Sequence, residues 1–303
     1  MAAKLTLGPI LYHWEAEAKR DFYARIADEA PVDIVYLGEV ICSKRTPFFD
    51  RHMPEVIDRL ERGGKQVVLA SLSEVVIKRE RNMMRDFCAI DSHEIELNNT
   101  AGLQQIDGRP HRIGPLMNTY NEQTLRWLVN KGATHVTLPV ELPRAVVGHM
   151  ARAAAELGVG AEVQVFGRAS LALSARCYHA RAHCRTKDNC QFVCEEDPDG
   201  MPLTTVTGQP FLTINGIQTL SQSYVNLAAQ IDEMTAMGIG HFRIMPQMAD
   251  MVAVARIFAD RIAGRRSGSE TAQALAALDL QPPLSDGFWH GREGHRQFGP
   301  KVA

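Results

Sequence analysis

Short apolar runs rich in Val, Ile and Leu alternate along this chain with longer stretches whose apolar positions recur every three or four residues. A strand buried on both faces reads as a continuous apolar run, whereas a covering helix shows a single apolar stripe, so the alternation predicts repeated βα units with parallel strands. Eight strands are predicted, over residues 5–10, 33–37, 66–71, 94–97, 112–116, 135–139, 162–166 and 241–245. Helices are predicted over 15–29, 54–62, 121–131, 143–157, 221–237 and 250–263. Glycines 63–64, 132, 158 and 238 follow periodic stretches, where a left-handed residue ends a helix.

Eight strands alternating with helices over some 250 residues predict an α/β chain folded as a TIM-barrel-like (β/α)8 barrel. The open doubly wound sheet competes structurally. It is disfavoured because no G-x-G-x-x-G follows the first strand. Residues 168–216 break the repeat as a long insertion between strands seven and eight, and long loops in compact domains are usually functional or disordered. Within it, 202–207 and 211–214 read as a hairpin around Gly208-Gln209-Pro210. Residues 263–286 read as an alanine-rich loop. The expected division is a barrel over 1–265, cysteine loop included, and an extension over 266–303 packed on it or trailing from it.

Composition narrows the class. The 303 residues are 45% hydrophobic and 22% charged, enough for one large domain with a complete core. A net charge of −2 and a pI near 6.6 give no overall attraction to nucleic acid or an anionic membrane. The N-terminal residues lack a signal-peptide run and no stretch is long enough to span a bilayer, which makes a cytoplasmic protein the expectation. Six irregularly spaced cysteines then read as reduced thiols or metal ligands, not as a disulfide framework.

Four of those cysteines carry the sharpest chemistry. Cys190 and Cys194 form a C-x3-C pair in a polar loop, Cys177 lies thirteen residues upstream of Cys190, and Cys42 follows the second strand. Thiolates gathered from separated loops hold iron-sulfur clusters or tetrahedral zinc. Cys88, in Met84-Arg85-Asp86-Phe87-Cys88, reads instead as a small core residue, and Cys184 as a bystander.

The residues after the strands are mostly polar: His13 and Trp14, Glu39, Ser73, Asn98, Asn118 and Tyr120, Glu141, Gln247. In a barrel they converge on the C-terminal mouth, which makes Glu39, Asn118, Tyr120 and Glu141 candidate pocket residues. Loop starts are also polar for solvation alone. Ser43-Lys44-Arg45 after Cys42 and Arg176 before Cys177 are basic neighbours suited to lowering a thiol pKa or binding a carboxylate. His179 and His183 have ligand spacing within the cysteine loop and are expected to be exposed. No nucleophile elbow, H-E-x-x-H helix or Walker loop is present.

Tyr36-Leu37-Gly38-Glu39-Val40-Ile41-Cys42-Ser43-Lys44-Arg45, Leu173-Ser174-Ala175-Arg176-Cys177, Lys187-Asp188-Asn189-Cys190, Leu212-Thr213-Ile214-Asn215-Gly216-Ile217-Gln218-Thr219 and Asp286-Gly287-Phe288-Trp289-His290-Gly291-Arg292 together resemble the U32-type family, in particular its oxygen-independent ubiquinone-biosynthesis members. The resemblance implies a [4Fe–4S] cluster on Cys42, Cys177, Cys190 and Cys194. It further implies a cytoplasmic heterodimer with a second cluster-bearing U32-type subunit, UbiU, which hydroxylates a hydrophobic quinone precursor. Prephenate would be the oxygen donor, and UbiT the lipid-carrying accessory protein. The resemblance also admits an RNA-hydroxylating relative, and the thiol set alone admits a non-catalytic, zinc-stabilised assembly subunit.

Overall fold

The computed structural model describes residues 3–299. Strands and helices alternate as β1 (Lys4–Leu7), α1 (Ala16–Glu29), β2 (Ile34–Leu37), α2 (Met53–Arg62), β3 (Gln66–Ala70), α3 (Lys78–Cys88), β4 (Glu94–Leu97), α4 (Ala101–Gln105), β5 (His111–Ile113), α5 (Glu122–Val129), β6 (Ala133–Thr137), α6 (Arg144–Glu156) and β7 (Gly160–Leu173). After the insertion, with α7 (Tyr178–Ala182), β8 (Met201–Thr204), β9 (Pro210–Asn215) and β10 (Gln218–Asn226), come α8 (Ile231–Ala236), β11 (His241–Ile244), α9 (Met251–Ile262) and α10 (Gly268–Ala276).

Strands β1 to β7 and β11 pair in parallel and close on themselves, with Lys4 opposite His241 and His241 opposite Glu162. The result is the expected eight-stranded parallel barrel within its ring of helices. The main core lies between strands and helices, where Leu5, Val35, Leu69, Ile95 and Ile244 meet helical residues such as Ile26, Leu60, Met84 and Phe258.

The barrel interior is polar. Arg243 reaches Glu96 at 2.5 Å, Glu162 at 2.7 Å and the Thr137 hydroxyl at 2.9 Å, while its guanidinium stands 3.8 Å from the centre of the Tyr36 ring. Glu162 also accepts from the hydroxyls of Thr6, Tyr36 and Thr137. A buried charge is tolerable only when so fully paired and hydrogen-bonded.

β7 does two jobs. Its first half completes the barrel beside β6 and β11; from Phe166 onward it pairs antiparallel with β10, Phe166 opposite Asn226 and Leu173 opposite Gln218. The strand changes partner at Gly167, which has φ +102°, and a Cβ there would lie 2.8 Å from that of Met245. β8, β9 and β10 extend this antiparallel flap, the β8–β9 hairpin falling where the turn residues predict it.

Two sequence expectations are corrected. Residues 221–226 are not helical but the end of β10; Leu220, Tyr224, Leu227, Ile231 and Met234 fall at helix-like spacing, and the register shifts in β10 break the period-two pattern that marks a strand. The excursion from the barrel therefore runs to Asn226, beyond Gly216. The segment read as a loop from 263 contains α10, whose start is fixed by a capping box. The Ser267 hydroxyl accepts from Glu270 N–H at 3.2 Å, and the Glu270 carboxylate accepts from Ser267 N–H at 2.7 Å. Beyond α10 the chain folds back on the barrel: Trp289 is buried, its carbonyl accepts from Arg144 N–H, and Asp286 accepts from the N–H groups of Phe298 and Gly299.

Candidate metal centre and its flanking cavities

The loop after β2 is tied down by side chains. One Glu39 oxygen accepts from the N–H groups of Ile41 and Cys42, both at 3.0 Å, and the Ser43 hydroxyl donates to Glu80 at 2.8 Å. These bonds fix the turn that presents Cys42. Cys177 stands at the start of α7, where its sulfur accepts from Ala180 N–H at 3.4 Å. Between Cys190 and Cys194 the chain reverses through Gln191 and Phe192, at φ 48° and 54°. A left-handed conformation in two successive side-chain-bearing residues costs energy that surrounding contacts must hold in place, as occurs at functional sites.

All four cysteines, Cys42, Cys177, Cys190 and Cys194, line one small cavity above the barrel rim. Cations join the loops that carry them. Lys44 donates to the carbonyls of Lys187 and Asp188 and lies 3.5 Å from the Cys190 sulfur. Arg45, 2% exposed, donates to the Leu11 carbonyl at 2.9 Å and to Asn215 Oδ1 at 3.0 Å, and lines the thiol cavity beside Cys194. Lys187 pairs with Glu74. The two basic residues after Cys42 thus tie separate loops together beside the sulfurs. Their role was not readable from sequence, because each partner lies over a hundred positions away or is a backbone carbonyl.

Burial pushes the thiols of Cys42, Cys177 and Cys194 up, opposed by Arg45 at Cys42 and Cys194 and by the Ala180 N–H at Cys177. Without metal these sulfurs are protonated at neutral pH. The exposed Cys184 should therefore be alkylated by iodoacetamide well before them in metal-free protein at pH 7, as peptide mass spectrometry would show; equal rates would contradict the burial described here. Cys88, 1% exposed on α3, is a core residue pushed up to about 11 by burial.

His179 corrects another expectation. It is fully buried, lines the thiol cavity and bonds Asp197 at 2.8 Å, linking the Cys177 arm to the segment just past Cys194. Among the described residues, the one set of three or more His, Cys, Asp or Glu ligand atoms lying within 4.8 Å of one another is His179, His183 and Asp197. The four sulfurs share a cavity at wider separation.

Two further cavities border the same loop. One, of about 350 Å³, lies between the ends of β2 and β3 and helices α1 and α3; Leu37, Leu69, Phe49, Met84, Phe87 and Ile90 make it mostly apolar, while Lys19, Glu39, Arg45 and Asp50 stand in its wall. The other, about 250 Å³, is the barrel mouth, lined by Asn98, Asn118, Tyr120, Glu141, Gln164, Arg168 and Arg243 among apolar residues. Asn118, Tyr120 and Glu141 are thus together, with Tyr120 bonded to Glu141. Glu39 is not with them, because its carboxylate turns back to cap the Cys42 loop and faces the apolar cavity.

A (β/α)8 barrel with four thiols in one cavity at its C-terminal rim is the class of protein that fold and site define. The chain belongs to Peptidase family U32, whose sequence model matches residues 15–297. Among solved structures it is similar to an uncharacterized B. cereus protein, at 14% identity and a TM-score of 0.40 over 80% of this chain and 61% of that one. It is also similar to octameric ribulose-1,5-bisphosphate carboxylase/oxygenase from Pyrococcus horikoshii OT3, at 11% identity and a TM-score of 0.30 over 92% and 60%. The chain thus spans less than two thirds of either structure's length, and likenesses this loose carry no argument about function. No helix among the described residues is long and apolar enough to cross a membrane.

Proposed function

We propose that this chain is the UbiV-type subunit of an oxygen-independent hydroxylase acting on ubiquinone precursors, carrying a [4Fe–4S] cluster on Cys42, Cys177, Cys190 and Cys194. The observation that carries the reading is the convergence of these four sulfurs on one cavity, with cationic and N–H donors around them. Such donors stabilise negative charge on sulfur and raise a cluster's reduction potential. When bound, the cluster supplies one-electron transfer.

The two neighbouring cavities support the rest. The apolar one suits the ring and hydrocarbon tail of a quinone precursor, with Glu39, Lys19 and Asp50 as its few polar groups. The barrel mouth is polar enough for a small carboxylated oxygen donor such as prephenate, with Asn118, Tyr120 and Glu141 on its wall. Partnership with UbiU, delivery of the precursor by UbiT and a cytoplasmic location belong to the same proposal. Proteolysis, which the family name denotes, is not part of the proposal.

Iron and acid-labile sulfide on protein purified without oxygen test the reading. About four of each per chain is the expected result. Zinc without sulfide would instead make the chain a structurally stabilised assembly subunit.

A further inference from the structure

The thiol cavity has an outward side. Cys177 lines it from within and also stands in a shallow surface depression of about 420 Å³ formed by Arg176, Arg181, Cys184, Arg185 and Lys187. From Ala169 to Lys187 the sequence carries four arginines and lysines and no carboxylate. Lys187 is paired with Glu74 and Arg185 reaches the Cys190 carbonyl at 3.3 Å. The Arg176 and Arg181 guanidiniums, both exposed, have no hydrogen bond or ion pair among the described residues. Tyr178 beside them is 47% exposed and Leu171 38%.

A protein of net charge −2 that gathers free guanidiniums and an exposed tyrosine on one patch has a surface suited to a negatively charged partner. A small anion is the weaker occupant. None of the depression's cations is buried, and exposed charge pairs in water contribute little. A protein surface would desolvate several of them at once and take the tyrosine as an anchor.

Given the cluster reading, on which this inference rests, we propose that the basic rim around Cys177 is the docking face for an acidic one-electron carrier protein. The reduced carrier loses one electron and the cluster gains it, with no proton or group transferred. Such encounters are small, weak and steered by charge, so their strength falls steeply with salt.

The test uses the full chain purified without oxygen, with a plant-type [2Fe–2S] ferredoxin as the acidic probe. The dissociation constant is measured at about 20 and about 300 mM NaCl, where the screening length shortens severalfold. Wild type is compared with a double variant, Arg176→Glu with Arg181→Glu, and with Arg126→Glu on α5 as a distant control. The expected result is at least tenfold weaker binding at the higher salt and in the double variant, with the control and the iron content unchanged. Ferredoxin binding that ignores the double reversal, or no salt-sensitive binding at all, overturns the docking face. Displacement of ferredoxin by inorganic phosphate far beyond its ionic-strength effect would assign the depression to a small anion and overturn it equally. Absent iron with salt-sensitive docking intact would sink the cluster reading alone.

Discussion

Alanine at Cys190 or at Cys194 is expected to reduce iron and sulfide at least tenfold in protein purified without oxygen, while Cys88→Ala leaves both unchanged. The contrast follows from position. Cys190 and Cys194 close the reversed turn on the thiol cavity, and Cys88 faces the Gly102 carbonyl in the core between α3 and α4. A cubane held by three thiolates is open to solvent and oxidant at its fourth iron. The loss should not reflect global unfolding, since the Cys177–Cys194 segment lies outside the barrel; circular dichroism and the melting temperature provide that check. Full iron in both loop variants would sink the ligand assignment, and lost iron in the Cys88 variant would show that the chain is sensitive to any cysteine change.

Arg243→Met should be the most destabilising single change in the barrel. It leaves the Glu162 carboxylate, and with it Glu96, buried without their cation, and breaking such a pair costs about 3–5 kcal/mol. The pH dependence identifies the cause. Arg243 and the bond from His135 hold the Glu162 carboxyl well below its usual range against the opposing effect of burial. A depressed carboxylate contributes stability that is present above its unfolded pKa and lost as pH falls through its folded one. The variant's deficit should therefore be full near neutral pH and narrow as falling pH protonates Glu162 in the variant while the wild-type carboxylate, held by Arg243, stays ionised well below the usual range. Urea titrations at several pH values would show this, and a deficit independent of pH would assign the cost to lost packing on Tyr36.

Much of this architecture was legible because the barrel is repetitive. Each of the eight strands is a short apolar run between periodic helices, and all eight stand where that pattern puts them. What failed was local. β10 carries apolar residues at helical spacing because its bulges break strand alternation, and α10 looked like loop although Ser267 and Glu270 spell a capping box. The four thiols were legible as a set because polar loops offer cysteine no core to bury in. Their supports were not. Arg45 meets Leu11 and Asn215, His179 meets Asp197, and Glu39 turns onto its own loop; none of these pairings leaves a spacing or motif in the sequence. The polar barrel interior was equally hidden, since single Glu and Arg residues inside apolar strands name no partner until the barrel closes.

The four sulfurs come from two places far apart in the chain, one after β2 and three beyond β7. An inorganic core bound across them would act as a staple, closing a loop of roughly 135 residues and removing freedom from the opened chain much as a long-range disulfide does. Loss of that core would then do more than empty the cavity. By dissolving the staple it would release the arm from Ala175 to Glu196 to fray, and fraying segments are where proteases cut first.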